Sequence, residues 1–137
     1  MIEKTIIDYI AKRPPGTKVD FDGAYGAQCV DLFRDYCGFL GLAHQGAVEG
    51  AKDIWLKDRC AAFAKKAADC ALPGDVVVFD ASESNIYGHV ALVVTRTKDG
   101  TELLCYEQDG FKKNGTQFKM WPVNKRVLGI LRYDKSA

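Results

Sequence analysis

Hydrophobic positions near the start of the chain recur with the period of a helix. Four isoleucines share one side of this stretch, namely Ile2, Ile6, Ile7 and Ile10. This spacing predicts an amphipathic helix that reaches Lys12. The helix is expected to end at Pro14-Pro15-Gly16, because proline cannot continue the hydrogen-bond ladder.

The helical pattern returns at Cys29, after a stretch, residues 17–28, that has no apolar period and is predicted to be a loop. One face of this second helix is apolar, with Val30, Phe33, Cys37 and Leu40. Three charged residues are predicted to face outward, namely Asp31, Arg34 and Asp35. Gly41 is expected to end the helix. The alanine-rich residues 51–68 predict one or two further helices.

Beyond Pro73-Gly74 the pattern changes to short runs that are rich in β-branched residues and separated by glycine or polar turns. The predicted strands are residues 76–79, 89–94, 103–106 and 127–131, and residues 117–121 are a further candidate. Helices followed by strands predict an α+β fold with an antiparallel sheet.

Composition narrows the class of protein without naming its function. A chain of 137 residues with 47% hydrophobic and 27% charged residues fits one globular domain over residues 1–137. A formal net charge of +1 does not favour nucleic acid or an acidic membrane as the main partner. The first residues lack the charged and apolar pattern of a secretory signal, so we expect a protein that works inside the producing cell or leaves by another route.

The five cysteines are odd in number, so at least one is unpaired within the chain. No CxxC pair is present, which excludes zinc-ribbon and thioredoxin-type sites. Four cysteines are expected to be small buried apolar residues, namely Cys37, Cys60, Cys70 and Cys105.

Cys29 differs, because it stands where a glycine-rich loop is predicted to meet a helix. A thiol at a helix N-terminus faces unpaired backbone N–H groups and the positive end of the helix dipole, which favours a thiolate. The same N–H groups can stabilise an oxyanion. The side-chain amide of Gln28 is a second candidate donor.

A thiolate nucleophile needs a base, and the chain has only two histidines, His44 and His89. His44 lies among small residues with no evident partner, whereas His89 begins a predicted strand. A polar group should orient the imidazole. Glu107 and Asp109 follow at the end of the next strand, and neighbouring antiparallel strands bring either of them close to His89.

Four ordered motifs resemble the CHAP family of cysteine- and histidine-dependent amidohydrolases and peptidases. They are residues 26–31 (GAQCVD), 73–79 (PGDVVVF), 88–93 (GHVALV) and 106–109 (YEQD). The resemblance implies a papain-like fold in which N-terminal helices pack on a twisted antiparallel sheet. It also implies Cys29 as the nucleophile, His89 as the base and Glu107 as the orienting acid, with Gln28 and the Cys29 amide at the oxyanion. Phage members often carry Asn where this chain has Asp109, so either Glu107 or Asp109 is a candidate orienting group.

The loop before Cys29 has the spacing of a calcium-binding loop. Counted from Asp20 as position 1, Asp22 is 3, Ala24 is 5, Gly26 is 7 and Asp31 is 12, the ligand positions of an EF-hand loop. The match is imperfect, because position 6 is not glycine and position 12 is Asp. Alternatively, the first two aspartates are turn residues and Asp31 caps the helix. Several phage-type CHAP domains have a calcium site of this spacing, so the resemblance implies a structural Ca²⁺.

The resemblance implies an endolysin-type hydrolase that attacks an amide or peptide bond of bacterial peptidoglycan through a thioester. We expect a phage-encoded protein, made in the host cytoplasm, that acts on the wall with a separate wall-binding domain or subunit. Two alternatives remain: a papain-like amidase of small γ-glutamyl or polyamine amides, and an inactive wall-binding module. A zinc hydrolase is disfavoured, because no HxxxD or HExxH spacing is present.

Overall fold

The computed structural model describes residues 2–20, 28–42, 50–57, 62–108 and 114–133. In chain order, the helices are α1 (Ile2–Lys12), α2 (Cys29–Phe39) and α3 (Asp53–Leu56), and a short 3-10 turn spans Ala68–Cys70. The strands are β1 (Phe63–Lys66), β2 (Val76–Phe79), β3 (His89–Arg96), β4 (Glu102–Gln108), β5 (Thr116–Pro122) and β6 (Val127–Tyr133). The predicted helix at the start of the chain, the helix at Cys29 and all five predicted strands are confirmed.

The six strands form one antiparallel sheet in the order β1-β6-β2-β3-β4-β5. This confirms the predicted α+β class. Both faces of the sheet are covered at its centre: Val76 and Val78 of β2 pack in the cluster with the helices, whereas Val77 and Phe79 pack in a second cluster on the opposite face. Burial on both faces explains why β2 is an unbroken apolar run without alternation.

The prediction of helix over residues 51–68 is wrong for most of that stretch. Within it, the described residues form only the four-residue α3, the strand β1 and the 3-10 turn. Only Phe63 of β1 is buried, and the strand is otherwise made of alanine and lysine, which favour helix. Pairing with β6, in which Lys65 lies opposite Leu131, supplies the backbone hydrogen bonds that hold it as a strand.

The polar face predicted for α2 is also wrong in part. Asp31 is 3% exposed and Arg34 is 9% exposed, although both were expected to face outward. Asp31 is drawn inward because its Oδ2 accepts the backbone N–H of Gln28 at 3.0 Å. Buried positions occur around most of the circumference of α2, so the helix is enclosed on more than one side. The apolar stripe in the sequence therefore predicts fewer buried residues than the structure has.

The predicted end of α2 at Gly41 is confirmed. Gly41 has φ +77°, and its N–H donates to the carbonyl of Gly38 while the N–H of Leu42 donates to the carbonyl of Cys37. These two bonds form a Schellman motif, which favours glycine because its φ lies in the left-handed region.

Helices α1 and α2 are joined to each other and to the sheet by tyrosines. The rings of Tyr9 and Tyr36 meet edge to face at 5.2 Å, and the hydroxyl of Tyr9 donates to Asp35 at 2.6 Å. The hydroxyl of Tyr36 donates to the carbonyl of Gly74 at 2.9 Å, in the turn before β2. The second half of α2 is therefore held at a fixed place relative to α1 and the sheet.

Three of the four cysteines expected to be small buried residues lie among the described residues. Cys37 and Cys105 are buried, as predicted, whereas Cys70 is exposed in the 3-10 turn and that prediction is wrong. Cys60 lies outside the described residues. Across the described part of the chain, no helix has the length and apolar character needed to cross a bilayer.

Candidate active site

Cys29 is the first residue of α2 and is half-buried. Gln28 before it is the N-cap, with extended backbone dihedrals of φ −121° and ψ 168°. The predicted junction between loop and helix is therefore present, and the thiol lies where the backbone N–H groups of the first turn have no helical acceptor.

His89 and Glu107 lie on neighbouring strands, at the start of β3 and close to the end of β4. The strands pair with Leu92 opposite Tyr106, so Glu107 falls on the same sheet face as His89 and diagonally across from it. The His89 Nε2 to Glu107 Oε1 distance is 3.0 Å, and both side chains are buried. An ionised carboxylate only accepts hydrogen bonds, so Nε2 carries the proton and donates it to Glu107.

The imidazole of His89 also interacts with the Cys29 thiol. The Cys29 side chain lies beside the imidazole and acts on its charge; since Nε2 is directed at Glu107, Nδ1 is the nitrogen available to the sulfur. Burial alone would lower the pKa of His89, but the hydrogen bonds with Cys29 and Glu107, and the charges of both, raise it to about 9. A protonated imidazole is therefore stabilised between the sulfur and the carboxylate.

Glu107 has two further donors, both on β5. The side-chain amide of Gln117 donates to Oε2 at 2.9 Å, and the indole N–H of Trp121 donates to Oε1 at 2.5 Å. Burial alone would raise the pKa of Glu107, but hydrogen bonds from His89, Gln117 and Trp121 and the charge of His89 lower it to about 2. Glu107 is thus held as a carboxylate.

Aromatic rings enclose the imidazole. The His89 ring centroid lies 5.3 Å from that of Trp121 and 5.8 Å from that of Phe79. The sequence did not reveal the roles of Trp121 and Gln117 at Glu107. Gln117 lies directly opposite Glu107 in the sheet register, whereas Trp121 lies opposite Leu103 and reaches the carboxylate along the same face of the sheet. Neither contact follows from the sequence, which does not specify the pairing of β4 with β5.

Gly88 before His89 meets two other parts of the chain. Its φ is +77°, and a Cβ built on it would lie 2.5 Å from the carbonyl oxygen of Phe79 and 2.8 Å from the Cβ of Lys52. Only glycine tolerates this combination of dihedral and close approach. The close approach at Gly88 therefore fixes the backbone that places His89 at the start of β3.

Gln108, the residue after Glu107, was also missed by sequence reasoning. It is 0% exposed and lies on the sheet face opposite to Glu107. Its amide accepts from the N–H of Val19 at 2.8 Å and donates to the carbonyls of Val19 at 2.7 Å and Gln28 at 2.9 Å. The sequence offers no signal for this role beyond the position of Gln108 next to Glu107 in β4.

The structure thus brings together three of the residues predicted for catalysis, Cys29, His89 and Glu107, with His89 between the other two. Gln28 lies beside them, with an exposed side chain. Asp109, the alternative orienting acid, and His44, the alternative base, lie outside the described residues. A thiol, an imidazole and a carboxylate in this order are suited to nucleophilic attack on a carbonyl.

The predicted calcium ligands are only partly described. Asp20 is exposed, and Asp31 uses Oδ2 to accept the Gln28 N–H. Asp22, Ala24 and Gly26 lie outside the described residues. The described residues alone contain no group of three or more His, Cys, Asp or Glu side chains placed to hold a metal. Since a carboxylate offers two oxygens with several acceptor positions, the hydrogen bond of Asp31 is compatible with a further ligand role.

Known proteins share parts of this sequence and its fold. Over 45 residues the chain is 44% identical to the D-alanyl-L-alanine endopeptidase of Streptococcus phage B30, a match that covers 31% of the chain and 10% of that relative. Among solved structures, the fold is similar to that of the endolysin LysIME-EF1, with a TM-score of 0.69, 21% identity and coverage of 98% of this chain and 66% of that one. It is also similar to Ly7917, with a TM-score of 0.69, 17% identity and coverage of 97% and 62%.

These likenesses confirm the predicted papain-like fold. The matched segment spans a tenth of the length of the phage endopeptidase, and the chain spans about two thirds of the length of the two solved chains. The sequence model of the CHAP domain matches residues 18–109, a range that runs from the residue before Val19 to beyond Gln108 and includes Cys29, His89 and Glu107. The chain therefore belongs to the CHAP domain family.

Proposed function

We propose that this chain is a peptidoglycan hydrolase that cleaves an amide or peptide bond with Cys29 as nucleophile, His89 as general base and acid, and Glu107 as the orienting group. The observation that carries the proposal is the placement of Cys29 at the start of a helix, beside His89, whose Nε2 lies 3.0 Å from Oε1 of Glu107. Glu107, held ionised by its donors, accepts the Nε2 proton in a hydrogen bond and stabilises the positive charge that His89 carries once Nδ1 has taken the proton of the thiol.

In the first step, the Cys29 proton passes to Nδ1 of His89 and the sulfur forms a bond to the carbonyl carbon of the substrate. The carbonyl π electrons move to oxygen. The resulting oxyanion accepts hydrogen bonds from the backbone N–H of Cys29 and the side-chain amide of Gln28. The carbon–nitrogen bond then breaks, and the leaving amine takes the proton from His89.

The second step regenerates the thiol. A water molecule gives a proton to His89 as its oxygen attacks the thioester carbon, and the carbon–sulfur bond breaks with return of the proton to sulfur. The products are a carboxylic acid and the free enzyme. No metal or organic cofactor takes part in either step.

The substrate assignment is supported by family membership and by the names of the relatives, a phage endopeptidase and an endolysin. The bond lies in the peptide stem or cross-bridge, or joins muramic acid to alanine. We further propose that residues 1–137 form one catalytic domain of a phage-encoded enzyme that acts on the cell wall beside a separate wall-binding domain or subunit.

A test compares the wild type with Cys29→Ala on purified cell walls and on defined peptidoglycan, and mass spectrometry identifies the released ends. We expect the wild type to cleave these substrates. Cys29→Ala should have a kcat at least about 10³-fold lower, because alanine cannot form the thioester intermediate. Cys70→Ala, at an exposed cysteine outside the site, is the matched control. New amino ends on stem or bridge residues indicate an endopeptidase, and free muramic lactyl groups indicate an amidase.

Other outcomes contradict the proposal in defined ways. Equal activity in the wild type and Cys29→Ala would exclude the nucleophile. Walls left intact by a chain that hydrolyses small γ-glutamyl or polyamine amides would replace the substrate class. Binding to walls without any cleavage would indicate an inactive wall-binding module.

We also propose that the segment between Asp20 and Asp31 holds a structural Ca²⁺, with Asp20, Asp22, Asp31 and the carbonyls of Ala24 and Gly26 as ligands. The position of Asp31 supports this, because its carboxylate lies in the first turn of the helix that begins at Cys29. When bound, Ca²⁺ would supply charge that orders the segment before Gln28. We expect a chelator to lower the melting temperature and Ca²⁺, but not Mg²⁺, to restore it; an unchanged transition would exclude the site.

A further inference from the structure

Gln108 connects the end of β4 to the backbone on both sides of the segment that precedes the thiol. Both of its N–H groups are used, one by the carbonyl of Val19 and one by the carbonyl of Gln28, and its oxygen accepts the N–H of Val19. The amide is fully buried. Because a buried amide is costly unless it is hydrogen-bonded, these bonds fix its orientation.

The carbonyl of Gln28 is the acceptor that matters for the proposed reaction. It receives the Gln108 amide at 2.9 Å from the sheet, and the N–H groups of Asp31 at 3.1 Å and Leu32 at 3.3 Å from the helix. The bond from Gln108 is the shortest of the three. It therefore contributes directly to the direction in which this carbonyl points.

That carbonyl belongs to the same peptide unit as the N–H of Cys29. A trans peptide is planar, and its C=O and N–H point in opposite directions. A donor that holds the Gln28 oxygen toward the sheet therefore holds the Cys29 N–H away from it. A hydrogen bond to the carbonyl also polarises the unit and makes its N–H a stronger donor.

We propose that Gln108 is a positioning residue that aims and polarises the Cys29 backbone N–H toward the oxyanion formed on the substrate carbonyl. The inference rests on the proposed cysteine mechanism and assigns a residue that acts through Gln28 without touching the substrate. Glu107 and Gln108 then act from opposite faces of β4. Glu107 orients the imidazole, and its neighbour orients the oxyanion donor.

The test uses Gln108→Met, which keeps the length of the side chain and removes all three hydrogen bonds. The matched control is Thr116→Val. Thr116 lies opposite Gln108 on β5 and is equally buried, but its hydroxyl bonds with Tyr106, Thr17 and the carbonyl of Pro14. Both variants lose buried hydrogen bonds at one place in the sheet, and only Gln108→Met loses the bond to Gln28.

Two rates are measured for each folded variant: peptidoglycan hydrolysis, and alkylation of Cys29 by iodoacetamide, followed by peptide mass mapping. Alkylation needs the thiolate but forms no oxyanion. For Gln108→Met we expect kcat to fall about 10- to 100-fold, KM to change less than about 2-fold, and the Cys29 alkylation rate to stay within about 2-fold of wild type. For Thr116→Val we expect both rates to stay near wild type.

The remaining outcomes overturn the inference. An unchanged kcat in Gln108→Met means that the Cys29 backbone N–H does not need Gln108 to act as the oxyanion donor. A parallel fall of kcat and alkylation means that Gln108 supports the thiol or the fold and not the oxyanion donor, and an equal kcat loss in Thr116→Val has the same meaning. A wild type that leaves peptidoglycan intact overturns the proposed function and this inference with it, whereas the other outcomes leave the proposed function standing.

Discussion

Nε2 of His89 and Oε1 of Glu107 lie 3.0 Å apart, although 18 residues separate them in the chain. The pair is buried, and the carboxylate is also held by Gln117 and Trp121. The imidazole is consequently held between a carboxylate and a thiol. The predictions below follow from the charges and donors around this pair.

Replacement of Glu107 by glutamine should slow hydrolysis and move its pH dependence. The hydrogen bond and charge of Glu107 help to raise the pKa of His89 to about 9, so their loss lowers that pKa. We expect kcat/KM to fall about 10²-fold or more, and the alkaline limb of its pH profile to move to lower pH. Rates measured from pH 5 to 10 test this.

Glu102→Gln is the matched control for this variant, since Glu102 is an exposed glutamate at the other end of β4. It should leave both the rate and the alkaline limb near wild type. A Glu107→Gln variant with an unshifted alkaline limb would show that the limb does not report His89.

Trp121→Phe should separate the indole hydrogen bond from aromatic packing. Phenylalanine retains a ring beside Phe79 and His89 but has no N–H for Glu107. We expect a loss of about 1.5–3 kcal/mol in the free energy of unfolding, the range for a hydrogen bond to a charged group, and a fall of a few-fold in kcat. Urea unfolding and steady-state kinetics measure the two effects.

Trp55→Phe serves as its control, because Trp55 lies on α3 with Lys65 over its ring. It should keep wild-type kcat. If both tryptophan variants lose activity equally, the effect is one of general packing and the indole N–H has no specific role at Glu107.

Glu107 should make the protein more stable above pH 4.5 than at strongly acid pH. Its pKa is lowered from 4.5 to about 2 in the folded state, so its contribution is present above its unfolded pKa and is lost as pH falls through the folded value. His89 stays protonated in this range in both states and does not contribute. The difference in unfolding free energy between wild type and Glu107→Gln should therefore shrink between about pH 4.5 and 2.

Chemical denaturation at several pH values in that window provides the measurement. Subtracting the unfolding free energy of Glu107→Gln from that of the wild type at each pH removes the contribution of the other carboxylates. A difference that stays constant from pH 5 to 2 would mean that Glu107 is not a low-pKa carboxylate in the folded protein.

Asp75→Asn should destabilise the fold without changing the chemistry. Asp75 is fully buried, accepts the guanidinium of Arg132 at 2.9–3.3 Å and accepts the N–H of Leu72 at 2.8 Å. Loss of one partner of a buried ion pair costs about 3–5 kcal/mol, and the retained amide oxygen places the expected loss at the lower end. We expect unchanged kcat per folded molecule.

Arg132→Met and the double variant complete a mutant cycle, with urea unfolding as the measurement. Additive losses would show that the two side chains are energetically independent and that the Asp75 motif is not held by this pair.

Much of this architecture follows from local sequence pattern. The helix at Ile2–Lys12, the helix that begins at Cys29 and the strands from Val76 onward carry periodicity, β-branched residues and turn signals that are local properties of the chain. The order of helix-start cysteine, strand-start histidine and strand-end acid was visible for the same reason. What failed was β1, whose strand state comes from pairing with β6, and the burial of Asp31 and Arg34, which comes from enclosure of α2.

The sequence by itself determined which side chains are candidates for the chemistry and on which elements they stand. Tertiary structure alone decided their further partners. Gln117 reaches Glu107 through the register of β4 with β5, Trp121 reaches it along the face of the sheet, and Gln108 reaches Gln28 across the interface of sheet and helix. Periodicity is a local property, whereas strand register and the docking of a helix depend on the packing of distant segments. For this reason Cys29, His89 and Glu107 could be predicted as a candidate site, whereas Gln117, Trp121 and Gln108 could not.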